Sequence, residues 1–236
     1  MSLRSDVDSL LHSTPSICAS VAVPSIKTVK KKVISSLDGG ADLVEIRLDH
    51  IKTIDMNLMK AQMIEVEEKL ILTCRRRDEG GQFIGRENER LEILSEMMDW
   101  KGPMKDIELR TVLDHPELFK NQRDLIISWH DLKRTPRREL LMEKIRLARK
   151  FGMIVKIVTM ATDFEDNARL LSLYKDQERG SLIAFCMGEK GLISRILAPT
   201  LGSPFTFAYS GRNAVAPGQL RLQELRDLYG IMSIGT

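Results

Sequence analysis

The stretch MIVKIVTMA, residues 153–161, decides how this chain is read. It is a run of Met, Ile and Val of strand length, with none of the polar alternation of a half-solvated strand. RRELLMEKIRLARKFG (137–152) precedes it and DFEDNARLLSLYKDQERG (163–180) follows, and both repeat apolar residues at helical spacing. In the second, Thr162 or Asp163 is placed to cap the first turn. Helix, buried strand, helix is the repeating unit of a parallel α/β sheet. Lys156 stands in the middle of the strand, where an ammonium loses hydration worth several kcal/mol and needs a partner or a function.

The same unit recurs outward in both directions. Upstream lie SICASVAV (16–23), DLVEIRLD (42–49), KLILTCR (69–75), DIELR (106–110) and DLIISWHD (124–131); downstream lie SLIAFCMG (181–188) and PFTFAYS (204–210). Helical stretches lie between them, including SIKTVKKKVISSLDGG (25–40), whose glycines suit a left-handed helix end, and GRENERLEILSEMMDW (85–100). TVLDHPELFKNQ (111–122) carries the weakest helical pattern, and GQLRLQELRDLYGIM (218–232) closes the chain as an amphipathic helix. Eight strands alternating with helices predict a single-domain (β/α)8 TIM barrel over residues 1–236, with 1–15 an N-terminal extension. The alternative, an open doubly wound sheet, usually carries a glycine fingerprint after its first strand, and VAVPSIK has none.

Composition narrows the function. The chain has 236 residues, 43% apolar and 29% charged, with a net charge of +3 that is too small to imply nucleic acid or membrane as partner. Aromatic content is only 5%, so aliphatic side chains and twelve methionines must fill the core. Cys18, Cys74 and Cys186 are widely spaced and form no C-x-x-C pair, which argues against a zinc site or a disulfide framework. MSLRSDVDSLLHS lacks the apolar core of a signal peptide, and no run is long enough to cross a bilayer. A soluble, cytoplasmic protein is expected.

In a (β/α)8 barrel, chemistry collects at the carboxyl ends of the strands. The unusual polar residues fall there: Glu45 and Arg47 in the second strand, Arg75 and Glu79 at or after the third, and His130 at the end of the fifth. Lys156 lies in the sixth, Arg195 opens the helix after the seventh, and Gln219 follows the eighth. Each has a plainer reading. Glu45-x-Arg47 also fits a structural ion pair, His130-Asp131 a hydrogen-bonded core histidine, and Arg75, Arg76 and Arg77 a solvated basic turn. Lys156 also fits a lysine paired with a core carboxylate.

Together these residues permit a definite chemistry. An amine held in a desolvated pocket, or beside another cation, loses its proton more readily and can attack a ketone to form an imine. The protonated imine then acidifies the adjacent carbon–hydrogen bond, and a histidine can collect that proton and return it to a leaving hydroxyl. His130 and Lys156 lie on consecutive strands, and Glu79 is placed to fix the His130 tautomer. Arg195 suits a bidentate carboxylate and Glu45 a substrate hydroxyl.

In this light the chain resembles the type I 3-dehydroquinate dehydratases. VEIRLD, TCRRRDEGGQF, SWHDLKRTP, VKIV, MGEKGLISRI and APGQL resemble that family's motifs, in order, from about residue 16 to residue 230. The resemblance implies that Lys156 forms the imine with 3-dehydroquinate and that His130 removes the C2 proton and assists loss of the C1 hydroxyl. It implies that Glu79 orients His130, that Glu45, Arg47 and Arg75 hold ring hydroxyls, and that Arg195 and Gln219 bind the carboxylate. Met187 and Phe207 would line the walls, with Ser20 at the edge. It further implies a homodimer, no metal and no organic cofactor, and a place at the third step of the shikimate pathway. Two positions depart from the pattern: Val215 stands where a serine is common, with Ser210 several residues away, and Phe185 replaces a common methionine. The loop YSGRNAVAPGQ (209–219) is a candidate lid.

Two rival readings have distinct signatures. A class I aldolase-like or transaldolase-like barrel also uses a strand lysine, but would cleave a carbon–carbon bond and often anchors phosphate after strands seven and eight. A nucleic-acid-binding module would use Arg75–Arg77 and the lysines of KTVKKK, yet 33 acidic residues balance the basic ones.

Overall fold

The computed structural model describes residues 15–120, 122, 124–211 and 214–233. Eight parallel strands follow one another around a nearly closed barrel: β1 (Ile17–Val21), β2 (Leu43–Arg47), β3 (Leu70–Thr73), β4 (Met104–Glu108), β5 (Leu125–Asp131), β6 (Ile154–Met160), β7 (Leu182–Met187) and β8 (Thr206–Tyr209). One α-helix follows each strand: α1 (Ile26–Asp38), α2 (Met56–Met63), α3 (Glu87–Met98), α4 (Leu109–Asp114), α5 (Arg138–Ala148), α6 (Glu165–Leu171), α7 (Leu192–Leu201) and α8 (Leu222–Ser233). The hydrogen-bonded ladder runs from β8 through β1 to β7, which leaves a seam between β7 and β8. This is the expected (β/α)8 barrel. The N-terminal extension, apart from Pro15, lies outside the described residues.

Strand parity builds two cores. Residues of one parity, such as Ile17, Val44, Leu72, Ile107, Ile127, Val155 and Ala184, pack outward against the helices. Residues of the other parity fill the lumen: Cys18, Leu43, Ile71, Ile126, Ile154, Ile183 and Phe205 form an apolar floor. Moving along the same strands, the lumen becomes polar, because the next inward positions are Ser20, Glu45, Thr73, Asp106, Ser128 and Lys156.

Several boundaries differ from the sequence reading. β4 starts at Met104, two residues before the expected strand, and ends at Glu108, because Leu109 and Arg110 already belong to α4. The weak 111–122 segment divides: α4 stops at Asp114, and Pro116 starts a 3-10 turn through Phe119, since the residue before proline disfavours helical backbone. α6 is a short helix continued as 3-10 turn (Ser172–Asp176), with Asp163 Oδ1 accepting the Asp166 amide at 3.0 Å. At the end of α1 the left-handed residue is Gly40, φ +94°. Among the described residues no helix is long and apolar enough to cross a membrane.

Candidate active site

The carboxyl ends of the strands open into one pocket, which brings together all eleven residues singled out from the sequence. Ser20, Glu45, Arg47, Arg75, Glu79, His130, Lys156, Met187, Arg195, Phe207 and Gln219 all line it. Each is positioned by a local rule. Ser20, Glu45, Lys156 and His130 are inward members of β1, β2, β6 and β5, and register places Ser20 beside Glu45 and Ser128 beside Lys156.

Glu79 sits on a single 3-10 turn (Arg77–Glu79) after β3, closed by Gly80 at φ +86°. The following Gly81 is packed so tightly that a Cβ would fall 1.9 Å from the Arg75 carbonyl oxygen. The turn thereby aims Glu79 across to β5. Its Oε2 accepts the His130 amide at 3.1 Å and lies 2.9 Å from His130 Nδ1. Burial, reinforced by Glu108, pushes the Glu79 carboxyl up to about 8. Burial, together with Arg75 and Lys156, pulls His130 well below its ordinary value. Both shifts favour the uncharged forms, as expected for a dry site. With Nδ1 turned to Glu79, Nε2 is the nitrogen left for a ligand.

Lys156 is 5% exposed, and its partners answer the question its sequence poses. Nζ donates to Asp106 Oδ2 at 2.8 Å, lies 3.8 Å from Glu45 Oε1, and sits 4.0 Å from the centre of the Phe207 ring. Arg75 lies alongside, with Nη2 donating to Asp106 Oδ1 at 2.6 Å and Nη1 to Ser128 Oγ and Glu108 Oε1. Arg47 forks Asp49 at 2.8 and 2.7 Å. Glu45 accepts from Ser20 and Thr73.

Arg195 reaches the pocket from outside the sheet. Its carbonyl accepts from the outward-facing Thr206 of β8, while its guanidinium stacks 4.2 Å over the inward-facing Phe185 of β7. The side chain therefore passes through the β7–β8 seam. It is 1% exposed, and its Nε has no hydrogen-bond partner among the described residues. Its Nη2 makes one long contact, 3.5 Å, to the Pro217 carbonyl. Burial pulls this arginine down to about 10. A guanidinium with an open donor can fork a planar anion.

The loop after β8 covers one side. Gly218 takes φ +73° and packs so closely on Gly188 that a Cβ would lie 2.3 Å from the Gly188 oxygen. Gln219 donates to Ser20 Oγ and the Ala208 carbonyl, and its Oε1 accepts the Val215 and Ala216 amides. Val215 adds an apolar wall. Ser210 does not replace a serine there, because its Oγ lies 2.6 Å from Ser36 Oγ in a separate surface recess. Within the candidate lid, residues 212 and 213 lie outside the described residues.

Of the basic run, Arg75 enters the pocket, Arg76 pairs with Asp78 and Glu87, and Arg77 is exposed. Sequence reasoning gave no role to Asp106 and Ser128 beside Lys156, to Glu108 beside Arg75, to Asp49 behind Arg47, or to Arg90, a 1% exposed arginine of α3 that donates to Glu108 and the Cys74 carbonyl. MKDIELR carried a usable signal: two carboxylates spaced two apart in a buried strand, the same pattern that marked Glu45-x-Arg47.

Known proteins place this site in context. The family described as type I 3-dehydroquinase matches residues 17–236. A 3-dehydroquinate dehydratase of Thermococcus gammatolerans is 38% identical over 206 residues, covering 86% of this chain and 93% of that protein. One from Pyrococcus abyssi is 36% identical over 224 residues, covering 93% and 99%. The crystal structure of 3-dehydroquinate dehydratase from Geobacillus kaustophilus superposes with a TM-score of 0.80 at 26% identity, covering 93% of this chain and 91% of that one. With the match spanning the whole barrel and relatives this similar over nearly their full lengths, the chain belongs to the type I 3-dehydroquinase family.

Proposed function

We propose that this protein is a hydro-lyase that converts 3-dehydroquinate to 3-dehydroshikimate, the third step of the shikimate pathway, through an imine on Lys156. Family membership supports the reaction. The observation that carries the mechanism is the placement of one buried amine and one carboxylate-bound imidazole on adjacent strands of a single pocket.

Lys156 Nζ attacks the ketone carbon, and the ketone oxygen departs as water. His130 Nε2 takes the C2 proton, and the electron pair moves into the protonated imine to form an enamine. Its return expels the C1 hydroxyl as water, with His130 supplying the proton. Hydrolysis of the remaining imine frees the product and Lys156. The protonated imine is the electron sink, so no metal or organic cofactor is required.

Arg195 and Gln219 hold the carboxylate at the loop side, where the Arg195 guanidinium, its Nε without a partner among the described residues, supplies the opposite charge. Glu45, Arg47 and Arg75 face the ring hydroxyls, Met187 and Phe207 form apolar walls, and Ser20 closes the edge. Homodimerisation and a cytoplasmic setting belong to the same reading, and light scattering tests the former. The decisive assay follows the enone absorbance of the product with 3-dehydroquinate, in parallel with borohydride trapping and peptide mass mapping. Turnover with an adduct on Lys156 is expected. Turnover with the label elsewhere would refute the mechanism, and no turnover would refute the reaction.

A further inference from the structure

Asp106 completes the site in a way the family pattern read from the sequence did not supply. Its side chain has no solvent exposure, and its two oxygens are divided between two cations: Oδ2 accepts Lys156 Nζ at 2.8 Å and Oδ1 accepts Arg75 Nη2 at 2.6 Å. Arg75 is itself fixed by Ser128 and Glu108, and Glu108 by Arg90 reaching in from α3. Although burial opposes its charge, Arg75 and Lys156 hold the Asp106 carboxyl far below the ordinary range. It is a permanent, immobile anion beside the reacting nitrogen.

We propose that Asp106 is a positioning residue for the imine-forming amine, holding Lys156 Nζ against the pocket wall and serving as counter-ion to that nitrogen once it is an iminium. The proposal rests on the dehydratase reading above. Condensing an ammonium with a ketone forms the carbon–nitrogen double bond, releases the ketone oxygen as water, and leaves one proton and one positive charge on nitrogen. The charge beside Asp106 is therefore the same before and after the step. An anion fixed at hydrogen-bond distance stabilises both states and keeps the imine in the protonated form that draws electrons from C2.

The other charged or titratable groups around Lys156 are Cys18 on β1, Glu45 and Arg47 on β2, Arg75 and Glu79 after β3, His130 on β5 and Arg195 on α7. Of the acids among the described residues, Asp106 alone is in hydrogen-bond contact with Nζ. Glu45 is 3.8 Å away, and its oxygens already serve Ser20 and Thr73.

Asp106→Asn removes the charge and keeps the shape. The variant is expected to lose about 10²-fold in kcat, the scale of a displaced reacting group, with a much smaller rise in KM, because Glu45, Arg47, Arg195 and Gln219 keep their places and of the substrate contacts only Arg75 loses a partner. Cyanoborohydride, which reduces the protonated imine, reports the second role. The adduct trapped on Lys156 between pH 6 and 9 is expected to fall off at lower pH in the variant than in wild type. Unchanged kcat together with an unchanged trapping profile would overturn the proposal. Should the Asn variant fail to fold, Asp106→Glu replaces it. That variant is expected to keep the trapping profile while losing at least tenfold in kcat through misplacement, and wild-type turnover would overturn the proposal. Wild-type enzyme that forms no adduct on Lys156 defeats the functional reading itself, whereas a normal wild-type adduct with an unaffected variant defeats only the assignment to Asp106.

Discussion

The floor and the mouth of the barrel lumen are made by the same strands and differ in almost everything else. The floor holds Cys18, Leu43, Ile71, Met104, Ile126 and Ile154; two residues further on, the same strands present Ser20, Glu45, Thr73, Asp106, Ser128 and Lys156. Two residues of strand span about 6.6 Å, so one step of the pleat separates a dry core from a cluster of buried ions. The floor is held by packing, and any apolar residues of the right volume would serve. The mouth is held by matched partners, and loss of one leaves another buried and uncompensated.

The largest expected contrast comes from the mouth. Lys156→Ala is expected to lower turnover by about 10⁴-fold or more, the loss seen when a covalent nucleophile is deleted, and to abolish borohydride labelling by substrate. His130→Ala is expected to lose about 10³-fold, within the range of general acid–base catalysis, while the adduct on Lys156 still forms and persists. Loss of the adduct in His130→Ala would move the histidine's role from proton transfer to imine formation.

A floor substitution is expected to do the reverse. Ile126→Ala leaves a cavity and is expected to cost about 2–4 kcal/mol of stability in urea unfolding, with kcat of the folded enzyme within about threefold. A large kcat defect there would show that floor and mouth are mechanically coupled.

The smallest effect tests the electrostatics of the mouth. Glu79, raised from 4.5 to about 8, keeps its proton in the fold at pH values where the unfolded chain releases it. Its contribution to stability therefore declines as pH rises through that window. In Glu79→Gln this dependence is absent, so the gain in Tm over wild type is expected to be larger at pH 8 than at pH 5, by several degrees for a domain of this size. His130, depressed from 6.5, acts in the other direction and destabilises the fold as pH falls below that value. A Tm difference independent of pH would show that Glu79 is ionised throughout.

Much of the fold was legible because its signals are local. Runs such as LVEIR and IVKIV declare buried strands, and the helices between them repeat apolar residues at their own period. Boundaries were harder where two signals overlap, as in MKDIELR, where strand ends and helix begins without punctuation. The site was legible wherever a polar residue interrupts an apolar run, as Lys156 does, or follows one, as His130 does. Asp106 broke the same rule, yet a carboxylate at the head of a short strand run looks like an ordinary strand end when its partner is fifty positions away.

By itself, then, the order of residues determined the strand–helix alternation, the parity that sends Lys156, Glu45 and His130 to one side of their strands, and the types of chemistry available. Only the tertiary structure decided which inward groups meet: Asp106 with Lys156 and Arg75, Glu79 with His130, and Arg195 threaded through the seam onto Phe185. Parity is a property of one strand, set by the backbone pleat over neighbouring residues. Contact across the lumen depends on the stagger of all eight strands around the barrel, and that register is settled only when the ladder bends round on itself.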